Sequence, residues 1–518
     1  MINSITKNKQ DLVIAGILSF LAIAALFLYQ GKYGFSLWDE GYLWYGAQRV
    51  MVGEVPLRDF MAYDPGRYYW SAAWMAATGS KGIVALRLSV AMFQALGLFS
   101  GLFLIARSCR NSSVSHLLVS SLILVTWMYP RHKLFDISIS IFIIGYLSYL
   151  IQKPVNSRFL VTGICVGLTA LFGRNHAVYA VFGCLVTLVW TVMQTKSLGG
   201  IVKNSLYLFA GVIAGYAPML LMILIIPGFA QAFWESIRFL FEVGNTNIPL
   251  PMPWPWLVQV HTLTAIESVR QVMVGLFFVC LPLAGMVSLI WVFWSRSKGK
   301  LIPPAVVASA FLILPYTQFA FSRADVNHLA QSIFPLLIIV TTSLSTQSGI
   351  KKWAPSIILL ASSLCVMLPV QPLWQCIQQK NCATIEVSGD QLTVDPDTAS
   401  QIALVRNLND YYTPNGQSFL AEPYWPGAYA LLERKSPVWE IFALFPRSNR
   451  FEKIEIERIR QSKPRFVIIL DLALDGHEEM RFKNTHPQTN QFIVDNFDFD
   501  AKLSRQPILV YLAKDIAN

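Results

Sequence analysis

Long apolar runs constrain this chain more than any motif does. About eleven of them, near residues 12–30, 82–106, 116–130, 134–151, 159–172, 177–193, 205–226, 269–294, 303–321, 328–345 and 353–370, carry almost no charge. In lipid only a helix or a closed barrel satisfies its own backbone, and a helix needs ~20 mostly apolar residues to cross. The runs that begin near Phe159 and Ala177 are the short ones. The first follows Lys7 and Lys9 and lacks a small-residue cleavage site, so it reads as an anchor rather than a removable signal. Only 14% of the 518 residues are charged, against about 25% in soluble domains, which excludes an ordinary cytosolic enzyme. The predicted fold class is a polytopic α-helical membrane protein with an appended polar domain.

The net charge of +11 divides near residue 372, with +14 before it and −3 after. The positive excess comes in ones and twos, which argues against a nucleic-acid surface and for cytoplasmic loops between spans. With the N-terminus inside, the cytoplasmic connections hold Arg107 and Arg110, Lys153 and Arg158, Lys196 and Lys203, Arg296, Lys298 and Lys300, then Lys351 and Lys352. Asp11 is the only acid on that side. The expected domains are therefore a membrane part, 1–371, with an outer loop at 31–81 and an interfacial segment at 227–268, and an extracytoplasmic part, 372–518. The Asn111-Ser112-Ser113 sequon falls on the cytoplasmic side and carries no expectation. Cys376 and Cys382 are the only cysteines in the outer part, where an oxidising compartment would allow a disulfide; two free thiols are the alternative.

Three outer turns break the basic-inside trend. They are Pro130-Arg131-His132-Lys133, Gly173-Arg174-Asn175-His176 and the run from Ser322 through Arg323 and Asp325 to His328. The first outer loop supplies acids: Asp39, Glu40, Glu54, Asp59 and Asp64. Any one cationic turn is explained by side chains snorkelling to the interface or meeting ordinary headgroups. Three of them assigned to the same compartment as one acidic loop point to a site for a lipid-anchored phosphate, whose oxygens accept charge-assisted bonds from Arg and Lys.

The first loop opens with Ser36-Leu37-Trp38-Asp39-Glu40-Gly41 and continues as a helix. Leu43, Trp44, Ala47, Val50 and Met51 form one apolar stripe, expected to lie flat in the headgroup region, and Gly53 is placed to stop it. Adjacent residues point about 100° apart on a helix, so one of Asp39 and Glu40 is expected to face a cavity. A second amphipathic segment sets Phe229, Phe233, Ile237, Leu240 and Phe241 against Glu235, Arg238 and Glu242. The Pro- and Trp-rich stretch 247–256 cannot span and reads as a stiff interfacial loop.

Trp38-Asp39-Glu40-Gly41, Ala47 and the Gly53-Glu54-Val55-Pro56-Leu57-Arg58-Asp59-Phe60 run resemble the first outer loop of the GT-C fold glycosyltransferases. The likeness is to the group containing protein O-mannosyltransferases, aminoarabinose transferases and galacturonosyl transferases. It implies transfer of a sugar from a polyprenyl-phosphate carrier to an acceptor on the outer face of a membrane. It also implies that an acid of the pair is the catalytic base, Asp39 in the first place and Glu40 in the second. No Trp-Trp-Asp motif appears, a departure from oligosaccharyltransferases that makes a diphosphate-linked donor and a tight metal requirement doubtful.

The chemistry of the residues agrees with that implication. An attacking hydroxyl or amine must lose a proton, which a nearby carboxylate accepts with a gain of ~10²–10⁴ in rate. The departing lipid phosphate develops charge that cations stabilise at low local dielectric. One direct displacement inverts the anomeric centre. The candidate donor-binding residues are Arg131, His132, Lys133, Arg174, His176, Arg323, Asp325 and His328. No cofactor is required, a divalent metal is not indicated, no metal ligands are assigned, and the acceptor is not specified. The competing classes are a secondary transporter or lipid-carrier flippase, which should place charges at the midplane of two related halves, and a polysaccharide polymerase or ligase. Asp136 reads as a helix cap or a partner of Lys133, and Asp498-Phe499-Asp500 as a chance DxD.

The outer part reads as a small α/β domain. Apolar runs at 418–421, 466–470 and 508–512 suit buried strands, and 425–433 and 450–461 have helical periodicity. The Glu422-Pro423-Tyr424-Trp425-Pro426 segment reads as a packed turn.

Overall fold

The computed structural model describes residues 2–108, 113–195, 199–244 and 247–514. Cys109, Arg110, Lys196 and the first two residues of the Asn111 sequon lie outside the described residues. Among those described, eight helices are long and apolar enough to cross a membrane. The pair Val326–Ser332 and Phe334–Ser345, bent by 54°, adds a ninth if it is one broken span. Val114–Trp127 and Asn156–Phe172 are shorter apolar helices. Every one of the expected runs is thus helical, and the protein is a polytopic α-helical membrane protein with a small C-terminal sheet domain.

The chain divides into two compact units. Residues 1–31, 90–225 and 247–375 form the first; residues 32–89, 226–246 and 376–518 form the second. The expected boundary near 372 is close to the last of these junctions. The first outer loop and the segment after residue 225, however, cluster with the C-terminal domain instead of with the helices they connect.

In the first unit the Arg131–Gln152 helix is the innermost, with 78% of its apolar window buried, whereas only 17% of the Gly200–Ile225 window is. Without a hydrophobic force between helices in lipid, small residues that admit close backbone contact take over. Gly163 and Gly167 on Asn156–Phe172 meet Gly211 and Gly215 on Gly199–Ile225, two small-xxx-small faces in register. A Cβ on Gly163 would come within 2.9 Å of Gly211 Cα, and one on Gly215 within 2.9 Å of Ile164 Cα. The 247–256 stretch is no span: it ends in a single 3-10 turn, Pro255–Leu257, with Trp254 and Trp256 stacked at 5.2 Å. Gly275 lies beneath this turn, where a side chain would strike Pro255 N at 2.6 Å.

In the second unit a hairpin pairs β1 (Ala383–Val387) with β2 (Asp390–Val394). A separate sheet orders β3 (Leu420–Glu422), β4 (Phe466–Leu470), β6 (Ile508–Ala513) and β5 (Phe497–Phe499) as 3-4-6-5. β3 runs parallel to β4, and the other pairs are antiparallel. The apolar runs read as strands are these strands, and helices Pro426–Leu431 and Asn449–Ser462 fall within or near the predicted segments. Leu420, Ile459, Val467, Ile469, Phe482 and Ile493 make the core. Cys376 and Cys382 form the disulfide. The Glu422–Pro426 segment is a packed turn, with Tyr424 and Trp425 fully buried. Burial pushes the Glu422 carboxyl well above the usual carboxylate range, and the nearby Glu440 and Glu455 push it further.

The Asp39–Met51 helix corrects an expectation. It does not keep one face open for headgroups: Glu40 through Gln48 are all buried, because the helix packs inside the second unit against Gly66–Thr78 and Pro426–Leu431. Gly53, at φ 90°, ends it as expected. Phe229–Val243 does keep an open apolar side, with Trp234 64% and Phe241 84% exposed. Its Phe239 ring lies 3.3 Å from the Arg447 guanidinium carbon.

The glycine crossing supplies a test. Gly215→Val should cost about 1–3 kcal/mol of overpacking and lower the thermal-unfolding midpoint in detergent. Gly200→Ala, whose new methyl would find only Asn204 Nδ2 at 3.9 Å, should leave it unchanged. Equal midpoints for the two variants would show that the crossing is not close.

Candidate active site

Asp39 and Glu40 occur at the entry to their helix, and the local sequence explains the geometry. Ser36 Oγ accepts from the amides of Trp38 and Asp39, both at 3.2 Å, which folds the chain into the first turn. Gly41 N then donates to Ser36 O at 2.9 Å. Gly41 has to be glycine: a Cβ there would sit 2.5 Å from the backbone of Gly427. Gly427 N in turn donates to Leu37 O at 2.8 Å, pinning the residue before Trp38. The Trp38 ring lies 5.7 Å from that of Tyr424.

The adjacent acids have opposite environments. Glu40 is buried and takes a bidentate pair from Arg87, Nε to Oε1 and Nη2 to Oε2, both at 2.7 Å. Arg87 Nη2 also donates to Gly34 O at 2.6 Å, so the pair ties the helix to the segment that precedes it. Asp39 is exposed. The remaining acids of the loop are half-buried or buried. Burial raises the Glu54 carboxyl, but bonds from Arg49 and Lys435 more than offset it and leave it below its ordinary value. Asp59 is likewise held low despite burial, by Arg58 and the Val55 amide. Asp64 is 8% exposed. Asp39 is therefore the one solvent-exposed carboxylate among the five.

The other eight candidate residues lie in the first unit, and a chain of contacts links the three turns that carry them. Arg131, His132 and Lys133 form a half-buried 3-10 turn, with Arg131 Nη1 donating to Gln30 O at 3.2 Å. Asp136, one turn further on, lies with Oδ1 3.1 Å from His176 Nε2. His176 Nδ1 is 2.7 Å from the Tyr316 hydroxyl. A proton on Nε2 satisfies both contacts, with Tyr316 donating and Asp136 accepting. The second turn is shorter than its sequence suggests: Gly173 alone is non-helical, so Arg174 begins a helix and His176 is buried inside it. Phe319 lies between the histidines, 6.1 Å from the His176 ring and 5.6 Å from that of His328. His328 Nδ1 reaches Asp325 Oδ1 at 2.9 Å, and Arg323 Nε donates to Asp325 Oδ2 at 2.8 Å. Burial raises the Asp325 carboxyl, yet His328 and Arg323 hold it below the ordinary range. Asp325 is also the N-cap of Val326–Ser332, accepting from His328 N.

Three residues of this framework were not among the sequence candidates. Tyr316 sits in an apolar span beside Pro315, where nothing local marks it. Asp136 was read as a cap or a partner of Lys133, and its contact with His176 depends on a helix 40 residues away. Arg87 did carry a signal, being a lone cation a few residues into an apolar run. Asp498 and Asp500 need no ligand to explain them: Asp500 Oδ1 accepts from the Lys502 and Leu503 amides and closes a turn.

No protein-family model matches the sequence, and no curated protein matches it. Solved structures do. The aminoarabinose transferase ArnT from Cupriavidus metallidurans, bound to undecaprenyl phosphate, superposes with a TM-score of 0.57 at 12% identity, over 97% of each chain. Its apo form gives 0.55 at 11% identity over the same shares. This chain has the GT-C fold. The oligosaccharyltransferase AglB from Archaeoglobus fulgidus, in complex with an inhibitory peptide and a dolichol-phosphate, scores 0.47 at 11% identity, over 99% of this chain and 74% of that one, too distant to carry an argument. The resemblance first suggested by residues 36–60 thus extends, as a fold, over nearly the whole chain.

Within that fold the two adjacent acids should separate experimentally. Removing one partner of a buried ion pair costs about 3–5 kcal/mol, so Glu40→Gln should lower the unfolding midpoint sharply. Asp39→Asn, at an exposed position, should lower it by less. Similar losses in the two variants would show that burial does not separate the two acids.

Proposed function

We propose that this chain is a membrane glycosyltransferase that moves a sugar from a polyprenyl-phosphate carrier to an extracytoplasmic acceptor, with inversion. The observation that carries the reading is Asp39, the exposed carboxylate placed by a rigid turn straight after the first span of a GT-C fold. The fold match to a chain solved with undecaprenyl phosphate supports a lipid phosphate as the carrier. The basic connections between alternate spans support a cytoplasmic N-terminus and an extracytoplasmic C-terminal domain.

Asp39 takes the proton from the acceptor hydroxyl or amine. The acceptor atom bonds to the anomeric carbon from the face opposite the phosphate, and the bond from that carbon to the phosphate oxygen breaks. The electron pair leaves on the lipid phosphate. Arg131, Lys133, Arg174 and Arg323 are assigned to the donor and its developing charge. Asp325 and His328 orient Arg323, and Asp136, His176 and Tyr316 fix the neighbouring helices. Glu40 is assigned a positioning role through Arg87. Phosphate is a competent leaving group, so no step is routed through a metal, and His132 is left as a polar lining residue.

With a polyprenyl-phosphate sugar and the full chain in lipid nanodiscs, Asp39→Asn should lower turnover by ~10²–10⁴ without loss of folded protein. Wild-type turnover by this variant would remove the base assignment. Arg323→Gln should raise the donor KM at least about tenfold, the scale of one lost charge-assisted bond, and leave the acceptor KM near its original value. An unchanged donor dependence would detach Arg323 from the phosphate.

A further inference from the structure

We propose that the first unit holds a second phosphate-binding site at the end away from the Arg131 turn, formed by the Lys352 ammonium, the His116 imidazole and the Ser113 hydroxyl. The Val114–Trp127 helix separates the two ends: its 14 residues rise about 21 Å at 1.5 Å each. Nothing in the proposed transfer reaction uses these groups.

Lys352 lies in the first turn of Ile350–Met367 and is only 6% exposed. Among the described residues its ammonium has one hydrogen-bond partner, Ser113 Oγ at 3.3 Å. The ammonium also lies 5.5 Å from the centre of the Trp353 ring. No carboxylate among the described residues pairs with it. A buried cation without a counter-charge is among the costliest features a fold can carry. Lys351, the residue before it, is exposed, so burial of Lys352 is not forced by the local chain.

A second observation points to the same place. His116 is 1% exposed, its Nε2 lies 3.0 Å from Thr341 O, and its Nδ1 is buried with no partner. Facing a carbonyl, Nε2 must carry the proton, which leaves Nδ1 to meet a ligand. Ser113 lies beside both residues, since its Oγ accepts from the His116 backbone amide at 3.3 Å as well as from the Lys352 ammonium. With both acceptor positions used, its O–H remains to donate. Two helices also begin here, Val114–Trp127 and Ile350–Met367, each bringing the positive end of its dipole. An ammonium and a hydroxyl donor match oxygens of a phosphate, and the neutral Nδ1 is left to accept from a hydroxyl of the phosphate or of its headgroup. That phosphate is supplied either by an anionic phospholipid headgroup or by free phosphate.

The test uses the full chain in neutral detergent, with phosphatidylglycerol, inorganic phosphate and the phosphate-free lipid diacylglycerol as probes. Thermal shift and native mass spectrometry report binding. Phosphatidylglycerol should bind and raise the unfolding midpoint, and diacylglycerol should not. Lys352→Met should weaken binding about tenfold or more, Lys352→Arg should recover most of it, and Lys351→Met should change it less than about twofold. A response to phosphatidylglycerol alone assigns the site to a lipid headgroup, and an equal response to inorganic phosphate assigns it to the free anion. Without any probe, Lys352→Met should match or exceed the wild-type midpoint, because it removes an uncompensated charge. A lower midpoint there, equal losses from Lys351→Met and Lys352→Met, or no binding of either phosphate probe would overturn the proposal.

Discussion

The Glu40–Arg87 pair sets the conditions for everything proposed about Asp39. A carboxylate beside the membrane is useful as a base only if its backbone cannot drift, and a single helix entry does not supply that stiffness. The bidentate geometry at 2.7 Å fixes the guanidinium plane as well as its position, and the further bond from Arg87 to Gly34 O reaches back across the turn. Gly41 and Gly427 complete the clamp by letting two backbones approach where any side chain would intervene. Two acids adjacent in sequence thus divide the work, one sealed into the framework and the other left in solvent.

The first unit meets the opposite problem, since its polar side chains must survive among apolar helices. It does so by chaining them. Asp136, His176 and Tyr316 are linked to one another, and Arg323, Asp325 and His328 form a second linked group, with Phe319 packed between the histidines. Such networks are stable only when complete, which is why neutral-looking Tyr316 matters as much to the arrangement as the charged residues do. Asn156–Phe172 and Gly199–Ile225 come together through glycine, as the Gly163 and Gly215 contacts show.

How much of this could be read from the sequence depends on how local each cause is. Apolar length is local, so every membrane run appears as a helix, including 159–172, which looked too short. Its Gly163 and Gly167 spacing, mirrored at Gly211 and Gly215, was a signal of close packing that hydropathy alone ignores. The strand at 466–470 was legible because five consecutive apolar residues buried on both faces have few other uses. Asp39 was preferred to Glu40 from the sequence, but the pairing that buries Glu40 was not legible, because Arg87 is 47 residues away. The stripe on the Asp39–Met51 helix misled for a related reason. Its apolar side does face a core, but the polar side is buried too, against helices whose approach only the tertiary fold decides. His176 and Tyr316, 140 residues apart, lie beyond any local pattern.

Burial and charge together separate the roles of the cations. Arg87 is buried and fully matched by Glu40, and a matched pair of that kind has a structural explanation that needs no ligand. Arg323 is half-buried and shares its carboxylate with His328, so its guanidinium is oriented without being fully sealed away, a state suited to a group that must still meet a substrate. Lys352 belongs to neither class. It is as buried as Arg87 but rests on a hydroxyl, which cannot balance its charge. By the same measure Lys352 is, among the described residues, a buried cation with no carboxylate beside it, which is why it is the group proposed to meet a phosphate.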